Sequence, residues 1–296
     1  MTAIKCSYCQ TEAPLYFQSK DYNRKVTNKI FNHYRCPKCE LIFIHPTPDD
    51  LGKYYVSSYH TIPDSLAAVE KGAKTERFKI EIVQRFCRQG RLLEIGPSHG
   101  SFSYLAKQAG FQVEAIEMDP ACCLFLNDVV GVHAIQSNDP AQGLLQVGPC
   151  DVIALWHVIE HLPNPWKTLE AAFKNLKPGG ILVLAAPNPD ALQFHIMGRF
   201  WPHVDAPRHV MLFPMKVLEE KMVRLGMQVE LVTTTDRGGF GWNIFGWEFF
   251  FGNLSSQYFI SRALRFVGQL VGLFLIPLER REGKGSAYTM VFRKVS

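Results

Sequence analysis

The sequence contains no dense run of lysine and arginine, no internal repeat and no low-complexity tract. Its 32 basic and 27 acidic residues leave a formal charge of +5 scattered along the chain, which argues against a nucleic-acid-binding surface. Residues Met1 to Cys6 lack the charged-then-apolar layout of a secretory signal. Eight cysteines without that layout imply a reducing compartment, where thiols bind metal or pack, so the expected location is cytoplasmic. The most apolar stretch, Phe266 to Leu278, holds only 13 residues. A membrane span wants about twenty, so none is expected. What remains is a chain of 296 residues, 47% of them hydrophobic, ample for one large domain with something smaller attached.

A glycine is also missing where one class of cofactor would need it. The run Leu92-Leu93-Glu94-Ile95 ends in the turn Gly96-Pro97-Ser98-His99-Gly100, and a helical pattern follows from Phe102 to Gln108. Glycines let backbone approach a bound nucleotide closely, and the free N–H groups of the next helix face the ligand. Glu117 ends the next apolar run, 21 residues beyond Gly96, where a carboxylate can grip a ribose diol. These features point to an adenosine-containing cofactor. In the dinucleotide fingerprint the middle position is glycine; here it is Ser98, and Pro97 removes an N–H that a pyrophosphate would use. Glu94 would repel phosphate but suits an ammonium or sulfonium. Charge therefore favours S-adenosylmethionine over NAD. An NAD-dependent oxidoreductase, which would share the strand, turn and Glu117, stays as the rival enzyme.

Four cysteines form two C-x-x-C pairs, Cys6/Cys9 and Cys36/Cys39, with 26 residues between the pairs. Two such knuckles complete a tetrahedral structural zinc site, and a closed site leaves no position for chemistry. The stretch between them is too polar to hold a core, so metal would supply its folding energy. A non-catalytic module that recruits a partner through this segment is the second rival.

Residues 1–45 are thus expected to be a zinc-ribbon-like segment and 46–74 a connector, with a domain over 75–296. A helical pattern covers Leu66 to Cys87. Apolar runs at 91–96, 112–117, 132–136, 150–156, 180–186, 228–234 and 287–293 alternate with helical segments, as in an α/β doubly wound, mainly parallel seven-stranded sheet. Leu176-Lys177-Pro178-Gly179-Gly180 reads as a turn feeding the fifth strand. Between the last two strands, residues 238–285 insert nearly fifty residues, crowded with aromatics and then strongly apolar, ending near Arg280, Arg281 and Lys284. Three readings stay open: a lid, a dimer face, or a peripheral contact with the inner membrane face through 258–284.

These residues also carry a family pattern. Leu93 to Gly100, Ala115-Ile116-Glu117-Met118-Asp119-Pro120, Asp151 to Leu162 and Leu176 to Gly180 come in one order and spacing that resembles the class I S-adenosylmethionine-dependent methyltransferases, in particular bacterial ones with an N-terminal zinc-binding segment. The segment from Gly198 to Pro214 is similar to that subgroup. The resemblance implies a Rossmann-like fold and methylation of a small-molecule acceptor, apolar, aromatic or lipid-linked, with a sugar or glycan as the alternative. It implies that Gly96, Ser98 and Gly100 line the methionine and ribose of the cofactor, and that Glu94 sits near its amino group. Glu117 would take the ribose hydroxyls, Met118 would pack on adenine, and Asn138 and Asp139 would read the adenine edge. Trp156 and His157 would contact the methionine portion or the acceptor. Pro97-Ser98-His99 departs from the Cys-Gly-Thr-Gly of many relatives.

If the acceptor must lose a proton, a neutral imidazole is matched to that task. Among His157, His161, His195, His203 and His209, the first choice is His209, in a loop after the fifth strand, and the second is His161. In some similar quinone O-methyltransferases a Glu-His pair at the station of Glu160-His161 helps bind a divalent cation. Arg208 would bind an acidic substrate group or make a local salt bridge. Cys87, Cys122, Cys123 and Cys150 read as core filler.

Overall fold

The structure is a computed structural model and describes residues 4–55 and 61–295; residues 56–60 of the expected connector lie outside the described residues. All seven apolar runs become strands of one sheet: β1 (Gly90–Ile95), β2 (Phe111–Glu117), β3 (His133–Gln136), β4 (Cys150–Trp156), β5 (Leu176–Pro187), β6 (Met227–Thr233) and β7 (Ala287–Lys294). Their order across the sheet is β3-β2-β1-β4-β5-β7-β6. The first five are parallel, while β7 runs antiparallel to both neighbours. The doubly wound expectation holds. Central strands covered on both faces need apolar side chains at every position, and Val152 to Leu155 and Ile181 to Leu184 are fully buried. The order reverses between β1 and β4, so the loops beyond these strands part and leave a crevice.

Two details differ from the sequence reading. The helical pattern at 66–87 is interrupted by a single tight turn at Lys74–Glu76, giving helices Leu66–Ala73 and Arg77–Phe86. The Pro178-Gly179-Gly180 turn lies within β5, where the pairing with β4 shifts register between Leu176 and Ile181.

The N-terminal chain folds as antiparallel strands, Leu15–Ser19, Phe31–Arg35 and Ile42–Ile44, and the fourth strand of this sheet is Met211–Leu212. That strand comes from the chain between β5 and β6. One apolar core therefore runs from Cys6, Cys36, Leu41 and Phe43 through Val210 and Phe213 to the main sheet. The same junction buries an ion triad. The Arg208 side chain has no exposed surface and donates to Asp21 (2.6 and 3.2 Å) and Asp205 (2.7 and 2.9 Å). Arg208 is thus a structural cation, with no guanidinium N–H turned toward a substrate cavity.

The insertion is a helical hairpin, α1 (Arg237–Gly252) and α2 (Tyr258–Glu279). Asp236 caps α1 by accepting from the Gly239 N–H at 2.7 Å. The helices pack closely because Gly268 faces the other backbone; a Cβ there would lie 2.5 Å from the Trp247 carbonyl oxygen. Buried Glu279 locks the far end, accepting from Gln193 Nε2 at 2.8 Å and Trp247 Nε1 at 2.9 Å. By length and composition α2, with 22 residues and an 18-residue stretch of mean hydropathy 1.6, could cross a membrane. Counting only from Phe266 understated it, since Arg262 and Arg265 interrupt the apolar run and not the helix.

Two tests follow from the packing. Asp21→Ala leaves the buried Arg208 with one counter-charge and should cost about 3–5 kcal/mol in denaturant unfolding, a penalty characteristic of broken buried pairs; a loss below about 1 kcal/mol would mean the triad does not hold the junction. His33, buried against Phe17 and bonded to Ser19 Oγ at 2.8 Å, is held near 3 by desolvation. The unfolded ring titrates near 6.5, so between about 6.5 and 3 the unfolded chain binds a proton the fold refuses, and stability falls with pH by about 1.4 kcal/mol per unit from this residue. His33→Gln should flatten the measured stability–pH slope by that amount below about pH 6. An unchanged slope would show that the ring protonates within the fold.

Candidate active site

The crevice beyond β1, β2 and β4 holds a cavity of about 460 Å³. Gly96, Ser98, Glu117, Met118, Asn138, Trp156 and His157, all expected at a cofactor site, line it. The turn reaches this geometry through left-handed backbone at Gly96 (φ +68°), Ser98 (φ +53°) and Gly100 (φ +81°). At Gly96 a Cβ would come within 2.6 Å of Val158 Cγ2, so the β1 turn can approach the β4 loop only as glycine. Glu117 organises the floor. Its carboxylate accepts from the Ser98 (2.9 Å), Met118 (2.7 Å) and Asp119 (3.0 Å) backbone N–H groups. Burial raises its pKa and these N–H groups work against the rise. A carboxylate offers about four acceptor positions, so a lone pair remains for a ligand hydroxyl.

Three residues expected at the cofactor are placed elsewhere. Glu94 is buried behind the cavity wall, accepts from Ser103 Oγ, and is pushed up to about 7 by desolvation. Gly100 starts the helix Ser101–Gln108 and abuts Leu126. Asp139 caps the turn Pro140–Gly143 by accepting from the Ala141 N–H at 3.0 Å and pairs with Lys167 at 3.2 Å. The wall there is made by Ser137, Asn138 and Pro140. The sequence reading did not single out Asp49, Asp50, Leu51 and Tyr55, which close the same cavity from the connector.

A second cavity, about 330 Å³, shares Trp156 and His157 with the first. Its remaining wall includes Phe78, Trp242, Phe245 and Tyr288, with Glu76, Lys79, Asp236 and Arg237 adding charge. Lys79 lies over the Trp156 ring at 5.3 Å and pairs with Glu76 at 2.7 Å. The aromatic part of the insertion thus faces the end of β4, and the His157 ring stands 4.7 Å from that of Trp242. The crowding of aromatics in 240–251 was a legible sign; Glu76 and Lys79 had none.

A histidine cluster borders the first cavity. His161 Nδ1 lies 2.7 Å from Tyr55 Oη and 3.2 Å from the Arg208 carbonyl oxygen, and its ring meets that of His209 edge-on at 4.5 Å. His161 lines the cavity; His209 packs behind it, with Nδ1 2.7 Å from the His203 carbonyl oxygen. Desolvation lowers His161 to about 4, so the ring is neutral at pH 7. Glu160 is fully buried, 3.5 Å from His157 Nδ1. Neither of its carboxylate oxygens has a hydrogen-bond partner among the described residues; burial would raise its pKa, but the nearby imidazoles of His157, His161 and His209 outweigh that and hold it at about 2. Ligand atoms of Glu160, His161 and His209 all lie within 4.8 Å of one another. His203 is buried beside Trp201 and Trp242, whereas His195 is exposed on another helix.

In the N-terminal segment the four cysteine sulfurs also fall within 4.8 Å of one another, with neighbouring pairs at 3.4, 3.6 and 3.7 Å. Both knuckles have the same backbone. In each, the first cysteine carbonyl accepts from the residue after the second cysteine, Gln10 or Glu40, whose φ is 60° or 63°. The hydrogen bond with Cys39 is the main influence lowering the Cys6 thiol to about 5.

A model of the methyltransferase domain family matches residues 72–232. Among curated proteins, the ubiquinone biosynthesis O-methyltransferases of Xanthomonas campestris pv. campestris and Psychrobacter arcticus are each 29% identical to the chain, over 119 and 121 residues. Those alignments cover 36% of this chain and 48% and 46% of the relatives, so the chain spans about half the length of the curated relatives it matches. Among solved structures, a SAM-dependent methyltransferase from Archaeoglobus fulgidus superposes with a TM-score of 0.51 at 17% identity, covering 75% of this chain and 94% of that one. A methyltransferase-like chain from Bacillus halodurans gives 0.51 at 13% identity, covering 75% and 100%. With more than half of its length matched and the sheet order of its core explained, the chain belongs to the methyltransferase domain family, on the class I fold of the S-adenosylmethionine-dependent enzymes.

Proposed function

We propose that the chain methylates a small, largely apolar aromatic acceptor, using S-adenosylmethionine. One observation carries this reading: two cavities meet at Trp156 and His157, one walled by the glycine turn and Glu117, the other by aromatic side chains of the insertion. When bound, the cofactor supplies an electrophilic methyl group on a sulfonium. Glu117 would hold the ribose hydroxyls, Gly96 and Ser98 the backbone side of the methionine and ribose, and Met118 and Asn138 the adenine. Trp156 and His157 would fix the line between methyl carbon and acceptor atom, the main service a transferase of this kind provides.

His161, neutral and lining the first cavity beside Tyr55, would take a proton from an acceptor hydroxyl that reaches past Trp156 and His157 into that cavity, with His209 packed behind it as a positioning group. Ionised Glu160 would stabilise the resulting imidazolium. The lining of Phe78, Trp242 and Phe245 favours an aromatic or lipid-linked acceptor over a sugar, and the relatives named for ubiquinone biosynthesis O-methylation support the same choice. Ser98 in place of the middle glycine supports the methyl donor over NAD. Four sulfurs at these spacings fit one structural zinc, whose bonds of about 2.3 Å place tetrahedral sulfurs about 3.8 Å apart. In this reading residues 1–45 are the zinc segment, 46–74 the connector, whose Pro48 to Gly52 and Tyr55 close the cofactor cavity, and 75–296 the transferase body.

Isothermal titration should show S-adenosylhomocysteine binding and no NADH binding. Glu117→Ala should weaken the former at least tenfold, about 1.4 kcal/mol. Unchanged affinity in that variant would remove the ribose role, and NADH binding alone would reverse the cofactor assignment. Protein purified without chelator should contain about one zinc per chain, as a closed site of four cysteines predicts. Cys36→Ser should lower both zinc content and Tm; protein that is metal-free yet equally stable would exclude a structural metal.

A further inference from the structure

The outward side of α2 is apolar along its whole length. At 100° per residue, Phe259, Phe266, Leu270, Leu273 and Phe274 fall within about one quarter of the helix circumference. Phe259 is 83% exposed and Phe274 82%. The opposite side, with Gly268 and Gly272, is buried against α1. Arg262, Gln269 and Arg280 share one flank of the stripe, and Arg281 and Lys284 follow the helix end. None of the four cations pairs with a carboxylate among the described residues. A helix of 22 residues lying flat offers a face about 33 Å long.

We infer that this face binds an anionic lipid bilayer, with α2 lying in the plane of the interface. An apolar stripe bordered by unpaired arginines complements an acyl layer beneath acidic headgroups. The body of the protein argues against a span: Glu279 is buried and bonded to Gln193 and Trp247, which ties the C-terminal end of α2 to the fold. A second copy fits less well than a bilayer. Two stripes packed antiparallel about a two-fold axis near Val271 would set Arg262 of one copy beside Arg280 of the other, and like charges across such an interface are unfavourable. The other side of α1 contributes Trp242 and Phe245 to the aromatic cavity, so the proposed membrane face lies one helix away from it. The inference does not rest on the acceptor reading, because lipid binding is measured with no acceptor present.

The full-length protein should float with vesicles of phosphatidylcholine and phosphatidylglycerol, and much less with phosphatidylcholine alone or in high salt. Phe266→Ser/Phe274→Ser should reduce flotation at least tenfold while keeping the wild-type Tm and S-adenosylhomocysteine affinity. Arg262→Glu/Arg280→Glu should abolish the preference for the anionic vesicles. Wild-type protein that stays unbound with the mixed vesicles would overturn the inference. So would undiminished flotation of the phenylalanine variant, or a wild-type dimer that this variant converts to monomer with no vesicle binding.

Discussion

A guanidinium with no contact with water has to keep its counter-charges, and Arg208 has two, from parts of the chain that are 184 positions apart. Asp21 belongs to the N-terminal segment and Asp205 to the loop after β5. Their shared cation makes the position of one segment a condition for the position of the other. Asn23 reinforces the link by donating to Asp205 at 2.6 Å, and the pairing of Ile42–Phe43 with Met211–Leu212 extends it as a sheet. The histidine cluster lies directly on this junction, since the Arg208 carbonyl faces His161 and His209 follows in sequence. The cysteine segment is therefore part of the frame that holds the site, although its sulfurs lie away from both cavities.

The site itself is built on a division of labour between rigid and added parts. The strand tips of β1, β2 and β4 form the floor, because a parallel sheet with a reversed strand order leaves its crevice there. Glu117 knits that floor by taking three backbone N–H groups that would otherwise lack partners beneath a ligand. The connector and the insertion then cover opposite sides of Trp156 and His157. Each covering segment is polar or aromatic according to what it faces: Asp49 and Asp50 over the first cavity, Trp242 and Phe245 over the second.

How much of this was readable in advance varied with the range of the forces involved. Every strand of the main sheet was visible as an apolar run, most plainly the central ones, where burial on both faces leaves little choice of residue type; the edge strands β3 and β6 are only partly buried. The glycine turn and Glu117 were visible because close backbone approach and a carboxylate at a strand tip restrict sequence locally. Glu94 shows where such reasoning stops. Its position in the turn suggested a ligand contact, but Ser103, nine residues later on the first turns of the next helix, takes the carboxylate instead. Asp139 is similar, its carboxylate occupied by a cap and by Lys167. His209 was the natural base from its loop, yet the edge-on packing with His161 leaves His161 on the wall. Glu76 and Lys79 carried no pattern at all, because a segment far upstream brings them to the aromatic cavity.

The amino-acid order alone determined the class of fold, the paired cysteine knuckles and the strand tips with their glycine turn and carboxylate, because periodicity, backbone conformation and short spacings act between near neighbours. Tertiary structure alone decided which carboxylates and imidazoles face open space and that the zinc-type segment buttresses the histidine loop. It also decided that the insertion turns aromatics inward on one helix and apolar side chains outward on the other. Those outcomes depend on which distant groups compete for the same hydrogen bonds, charges and buried surface, and that competition exists only once the chain has closed on itself.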